Sequence, residues 1–174
     1  MKSSSLKGFT LIELIVVIVI IAIFSTISLS TINRFTNEKQ LKNETKKVMT
    51  ILELTKSKTN SGDRSLCTPF NESSVPEVQD FTFQVDVAGK SYQIIPHCIE
   101  SDPQSITYAV SNNIYIYPNS IDFNPNYGKV TCTCFVVKSE ILDKCNYIKV
   151  SANSIISDGF CSTCSNCVTN CTCP

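Results

Sequence analysis

The chain has 174 residues, a formal net charge of zero, ten cysteines and no tryptophan. Zero net charge removes the whole-domain basic footprint that binding to a polyanion leaves. Ten cysteines set the chain apart from proteins of a reducing compartment, where thiols stay free.

The first eight residues, Met1–Gly8, are short, polar and basic, with Lys2 and Lys7. They are too few to supply the charged and apolar regions of an ordinary secretory signal. An apolar run follows, and from Leu14 to Asn33 it holds no Asp, Glu, Lys or Arg. Twenty helical residues span about 30 Å, the thickness of a hydrocarbon core, so the pattern predicts a transmembrane segment over 9–33. Glu13 stands at the start of this run. A carboxylate at a bilayer centre costs at least ~2.5 kcal/mol, which makes Glu13 a functional candidate. Ser25, Thr26, Ser28, Ser30 and Thr31 soften the run without breaking a helix, since hydroxyls bond back to the preceding turn. Past Arg34 the pattern turns amphipathic, with Leu41, Val48, Ile51 and Leu52 at helical spacing among Lys39, Lys42, Glu44, Lys46 and Lys47. Asn60-Ser61-Gly62 is a stop signal. The expectation is one long helix over 9–60, roughly 75 Å, transmembrane first and amphipathic after.

Lys7-Gly8-Phe9-Thr10-Leu11-Ile12-Glu13-Leu14 resembles the processing site of the type IV pilin and pseudopilin family. The resemblance implies cleavage after Gly8 by a membrane aspartic prepilin peptidase, with Phe9 as the new, methylated N-terminus. It aligns Glu13 with the family's acidic position, which pairs with the amine of a neighbouring subunit during assembly. The residues agree on their own terms. Cleavage at Gly8 leaves Glu13 four residues after Phe9, on the same helix face, where the helix dipole favours a carboxylate. The implied partners are the peptidase, other pilins or pseudopilins through the N-terminal helix, and an inner-membrane assembly platform. The implied location is a single pass of the inner membrane with the C-terminal head outside, assembled into a periplasmic or surface filament. Charge opposes this orientation: Arg34, Lys39, Lys42, Lys46 and Lys47 outnumber Lys2 and Lys7. The leader and the cysteines favour it.

Residues 61–160 read as a β-rich head. Phe81, Phe83, Val85 and Val87 alternate. Further strands are predicted around Tyr92 and Ile94, at Ile106, Tyr108 and Val110, over Ile114–Tyr117, Val130–Val137 and Tyr147–Val150, and at Ile155-Ile156. Gly89, Pro103, Asn112-Asn113 and Asn124–Gly128 mark turns. A sheet needs its apolar face covered, and the amphipathic part of the long helix is the available cover. The predicted fold is therefore α+β, a long helix packed on a small, mainly antiparallel sheet with a disulfide-rich tail. Ile114-Tyr115-Ile116-Tyr117-Pro118 and Tyr147-Ile148-Lys149-Val150-Ser151-Ala152-Asn153 resemble the heads of H-type pseudopilins, with Ala152-Asn153-Ser154 in place of the usual glycine turn.

Cys67, Cys98, Cys132, Cys134, Cys145, Cys161, Cys164, Cys167, Cys171 and Cys173 all lie beyond the long helix. An even number confined to the head predicts a disulfide framework. Cys132 and Cys134 point to one strand face and so pair elsewhere, with Cys98 and Cys145 available; the spacing leaves the connectivity open. Over 161–174 the spacing Cys161-x2-Cys164-x2-Cys167-x3-Cys171 also matches a ferredoxin cluster run, without its usual proline. Zinc is chemically suited to thiolates as well. An outside compartment favours disulfides and no cofactor. His97 beside Cys98 suggests a nucleophile pair, but adjacent strand residues point apart. No paired carboxylates or phosphate loop appear, so the chain reads as a non-enzyme. The expected function is a minor pilin or pseudopilin, a structural or priming subunit of a type IV pilus or type II secretion pseudopilus. The alternative is a DNA- or surface-binding minor pilin, with Lys138, Lys144 and Lys149 as its basic cluster and DNA or a secreted substrate as its ligand.

Overall fold

The computed structural model describes residues 8–69, 77–117, 119–124, 130–161 and 163–171, except the side chains of 26–31 and 168–170. Pro118, most of the turn expected over Asn124–Gly128, and Cys173 lie outside the described residues. The chain divides into two compact units, Met1–Thr36 and Asn37–Pro174, with helix α1 (Leu11–Ser61) running through the boundary.

In the first unit, Thr10 caps α1: the Glu13 amide donates to its hydroxyl at 3.4 Å. Past Glu13 the helix is apolar on every side, and its side chains stand open, from Leu14 at 59% exposure to Ile20 at 47%. Two expectations are corrected here, the transmembrane segment over 9–33 and the single-pass membrane location built on it. Among the described residues no helix is long and apolar enough to cross a membrane. The physical reason lies in the composition of the run. Freedom from formal charge extends to Asn33, but continuous apolarity extends only from Leu14 to Phe24. Those eleven residues span about 16 Å, roughly half of a hydrocarbon core. From Ser25 onward hydroxyl and amide side chains recur, and Ser25 Oγ already bonds back to the Ile21 carbonyl at 2.8 Å.

In the second unit, the remainder of α1 buries Leu41, Val48 and Leu52 against the head. The same face also buries Thr45, Thr55 and Thr59. Their hydroxyls donate to the carbonyls four residues back, and the Thr45 oxygen also accepts from the Asn146 side-chain amide at 3.0 Å. The helix ends in a Schellman arrangement. Gly62 takes a φ of +59°, and the amides of Gly62 and Asp63 return to the carbonyls of Thr59 and Lys58.

Among the described residues ten strands follow, in order β1 (Cys67–Pro69), β2 (Glu77–Val85), β3 (Ser91–Ile99), β4 (Ser101–Pro103), β5 (Ile106–Ala109), β6 (Ile114–Ile116), β7 (Ser120–Phe123), β8 (Thr133–Ser139), β9 (Cys145–Val150) and β10 (Ile156–Cys161). They form an antiparallel ribbon, β1–β4, and two four-stranded antiparallel sheets of order β5-β3-β2-β7 and β10-β9-β8-β6. The head is thus α+β, with two sheets where the sequence suggested one. Their inner faces share a core with α1. Phe83 and Tyr92 of one sheet meet Phe135, Val137, Ile148 and Val150 of the other, and the Phe83 and Phe135 rings cross edge to face at 5.1 Å. Val87 falls outside β2 in the turn before β3, and is 91% exposed.

Candidate functional site

The N-terminal site is built on the first turn of α1. Gly8, Phe9 and Thr10 precede the helix and are exposed. A side chain built at Gly8 meets nothing within 4 Å, so nothing inside the protein requires glycine there. An exposed, non-helical segment suits a protease, which binds its substrate with close backbone approach. Glu13 lies in the first turn of α1, exposed, where the dipole favours its charge. Of the leader expected over Met1–Gly8, residues 1–7 lie outside the described residues.

Six cysteines, Cys134, Cys145, Cys161, Cys164, Cys167 and Cys171, gather on the outer face of the β10-β9-β8-β6 sheet. Strand alternation places Cys134 of β8, Cys145 of β9 and Cys161 of β10 on that face, away from Phe135, Ile148 and the core. A second helix, α2 (Cys164–Asn170), capped by Thr163, packs across the same three strands. Disulfides join Cys134 to Cys171, Cys145 to Cys164 and Cys161 to Cys167, with Cα separations of 5.9, 5.1 and 5.4 Å. Cys134 therefore takes neither partner the sequence offered. Cys145 goes to the tail, and Cys98 joins Cys67 across 5.9 Å, tying β3 to the ribbon strand that follows α1. Cys132 is disulfide-bonded as well. Val136 and three of these half-cystines, Cys145, Cys161 and Cys167, form a second buried cluster beside Tyr147. Gly159 is required by this packing. A Cβ there would collide with the Tyr147 ring, which lies flush on the β10 backbone.

Sulfurs held in disulfides are not thiolates and do not ligate metal. Among the described residues no group of three or more His, Cys, Asp and Glu side chains is arranged to hold an ion. Cys98 is equally unavailable as a nucleophile beside His97.

His97 instead enters a polar cluster on the outer face of the other sheet. The Thr82 hydroxyl donates to Asp122, and its oxygen lies 2.8 Å from His97 Nε2. Asp80 Oδ1 lies 3.7 Å from the same nitrogen and is buried without a hydrogen bond. Burial pushes the Asp80 carboxyl above the usual carboxylate range, against the opposing pull of His97. A triad requires the carboxylate and the hydroxyl on different ring nitrogens. Here both fall on Nε2, so the imidazole is not oriented as a general base. Sequence reasoning missed this cluster because its members sit on β2, β3 and β7, far apart in the chain. The three lysines of the alternative reading are engaged: Lys138 pairs with Asp143 at 3.3 Å, Lys144 with Glu38 at 2.6 Å, and Lys149 also has a partner.

Residues 4–29 match the model of the prokaryotic N-terminal methylation motif. No curated protein matches the chain. The minor pseudopilin EpsH from the type 2 secretion system of Vibrio cholerae is similar in structure, with 11% identity, a TM-score of 0.48, and 70% of this chain and 97% of that chain covered. A likeness of that size fixes neither the fold nor the function of this chain. The N-terminal segment carries a prepilin-type cleavage and methylation motif.

Proposed function

We propose that this chain is a structural, non-catalytic subunit of a pilin-type filament, matured by cleavage between Gly8 and Phe9. One observation carries the reading: directly behind an exposed N-terminal methylation motif stands a helix that is apolar on all sides and open from Leu14 to Phe24. A helix of that kind requires a covering, and helices of like subunits supply one. A bundle interior has low dielectric, so the new amine of Phe9 needs a counter-charge there. Glu13, one turn away on the same face, supplies it to a neighbouring chain. The disulfides of the second unit fit an oxidising compartment.

Ile18→Asp tests the reading. It places a charge in the middle of the apolar stretch and far from Gly8. Sheared filament fractions from cells carrying the assembly machinery should contain the unchanged chain and lack the variant, while both are still processed. Equal recovery of the variant in filaments contradicts the reading.

A further inference from the structure

Four half-cystines meet at one place on the outer face of the β10-β9-β8-β6 sheet. Cys145 of β9 and Cys161 of β10 are register partners, directly opposite each other on adjacent strands. Cys164 and Cys167 stand on one side of α2, a turn apart. Two disulfides run from strand to helix, Cys145 to Cys164 and Cys161 to Cys167. Cys145, Cys161 and Cys167 share a buried cluster with Val136, and Cys164 and Tyr147 pack against it.

The same four sulfurs admit a second pairing. Opposed residues of an antiparallel pair hold their Cα atoms about 4.5–5.5 Å apart. A disulfide accepts about 4.4–6.8 Å, so Cys145 and Cys161 meet the condition without backbone movement. The two existing bonds also differ in access. Cys161 and Cys167 are both buried, at 2% and 0% exposure, and so is Cys145. Cys164 alone among the four is half-buried, and an outside thiolate therefore enters there.

We propose that these four cysteines form a thiol–disulfide exchange centre that takes a dithiol reductant and releases α2 from the sheet. One thiolate of the reductant attacks Cys164 Sγ, and the Cys145–Cys164 bond breaks with Cys145 leaving as a thiolate. The reductant's second thiol displaces Cys164, which takes its proton, and the reductant ends as its own disulfide. The Cys145 thiolate attacks the facing Sγ of Cys161. The Cys145–Cys161 bond forms, the Cys161–Cys167 bond breaks, and Cys167 leaves as a thiolate and takes up a proton. In sum, two electrons and two protons pass from the dithiol to Cys164 and Cys167. One reduction thus detaches α2 from both β9 and β10, while the new bond pins those two strands to each other. Among the described residues the tail then keeps one tether, Cys134–Cys171. Helix α2, Cys164–Asn170, is too short to persist unaided, so it lifts and uncovers Val136 and Tyr147. This device is independent of the filament reading.

The full-length chain carrying Cys164→Ser isolates the exchange step, because it leaves Cys145 unpaired beside the Cys161–Cys167 bond. Free thiols are labelled with N-ethylmaleimide, and trypsin cuts after Lys144 and Lys149, which separates Cys145 from the tail. The label should appear on Cys167, with Cys145 joined to Cys161; a label on Cys145 overturns the proposal. The unchanged chain, treated with one equivalent of dithiothreitol and labelled in the same way, tests the whole sequence without a substitution. Fragmentation of the tail peptide should place labels on Cys164 and Cys167, with Cys145 unlabelled and joined to Cys161. The Cys167 amide, which donates to the Thr163 carbonyl at 3.3 Å, should lose its protection from hydrogen exchange. Labels on Cys145 and Cys164 would mean simple reduction, and labels on Cys161 and Cys167 would mean attack on the shielded bond. Either result, an unlabelled Cys164, or a Cys167 amide that stays protected in the exchanged chain refutes the proposal.

Discussion

Replacing Cys67 and Cys98 together by alanine should destabilise the head more than removing any bond confined to the tail. The bond closes a loop with a sequence separation of 31 and joins β1, just after α1, to β3 in the middle of a sheet. Loop-closure entropy for that length amounts to about 3.7 kcal/mol. The Cys161–Cys167 bond spans a separation of 6, which gives about 2.2 kcal/mol by the same relation. For a unit of this size each kcal/mol moves Tm by about 3–5 °C, so the two double variants should melt about 11–18 °C and about 7–11 °C below the parent. Circular dichroism of the full chain in oxidising buffer, followed through the thermal transition, measures both. The order is the decisive result. If Cys161→Ala/Cys167→Ala falls further, or Cys67→Ala/Cys98→Ala melts with the parent, the loop-length reasoning fails for this head.

Gly159→Ala should cost about 1–3 kcal/mol by forcing the Tyr147 ring off β10, with Gly159→Ala/Tyr147→Leu recovering much of it in denaturant titrations. Asp63, which pairs with Lys58 and caps the Ser65 amide, is held down to about 2 from an ordinary 3.8. Its folded value is the lower one, so its contribution is complete above pH 4 and is lost as pH falls toward 2. After solvent screening that is about 1 kcal/mol, and Asp63→Asn should flatten the acid limb of a stability–pH curve by this amount. Glu13→Ala should leave the melting of the head unchanged and reduce recovery in sheared filaments, because the paired amine is then buried alone.

Much of the head was legible from alternation. Tyr92 and Ile94 mark β3, Ile114 and Ile116 mark β6, and Ile148 and Val150 mark β9, each pair buried with one residue between. Val87 continued the alternation of β2 but falls in the turn, where the Asp86 side chain bonds the following amides and ends the strand. β7 was missed because Ser120-Ile121-Asp122-Phe123 is too short and too polar to stand out, although Ile121 and Phe123 both reach the core. The sequence read absence of charge from Leu14 to Asn33 as apolarity, and the hydroxyl-rich second half of that run does not qualify. Cysteine partners were illegible for a geometric reason. Cys134, Cys145 and Cys161 become neighbours only through the register of three strands, and α2 supplies their partners from one short helix. The Asp80–Thr82–His97–Asp122 cluster has the same origin.

The most direct test of the central claim is the intact mass of the chain isolated from cells with an active prepilin peptidase. A subunit matured as proposed begins at Phe9, carries one methyl group on its amine, and lacks the mass of Met1–Gly8. A chain that retains Met1–Gly8 in those cells contradicts the account.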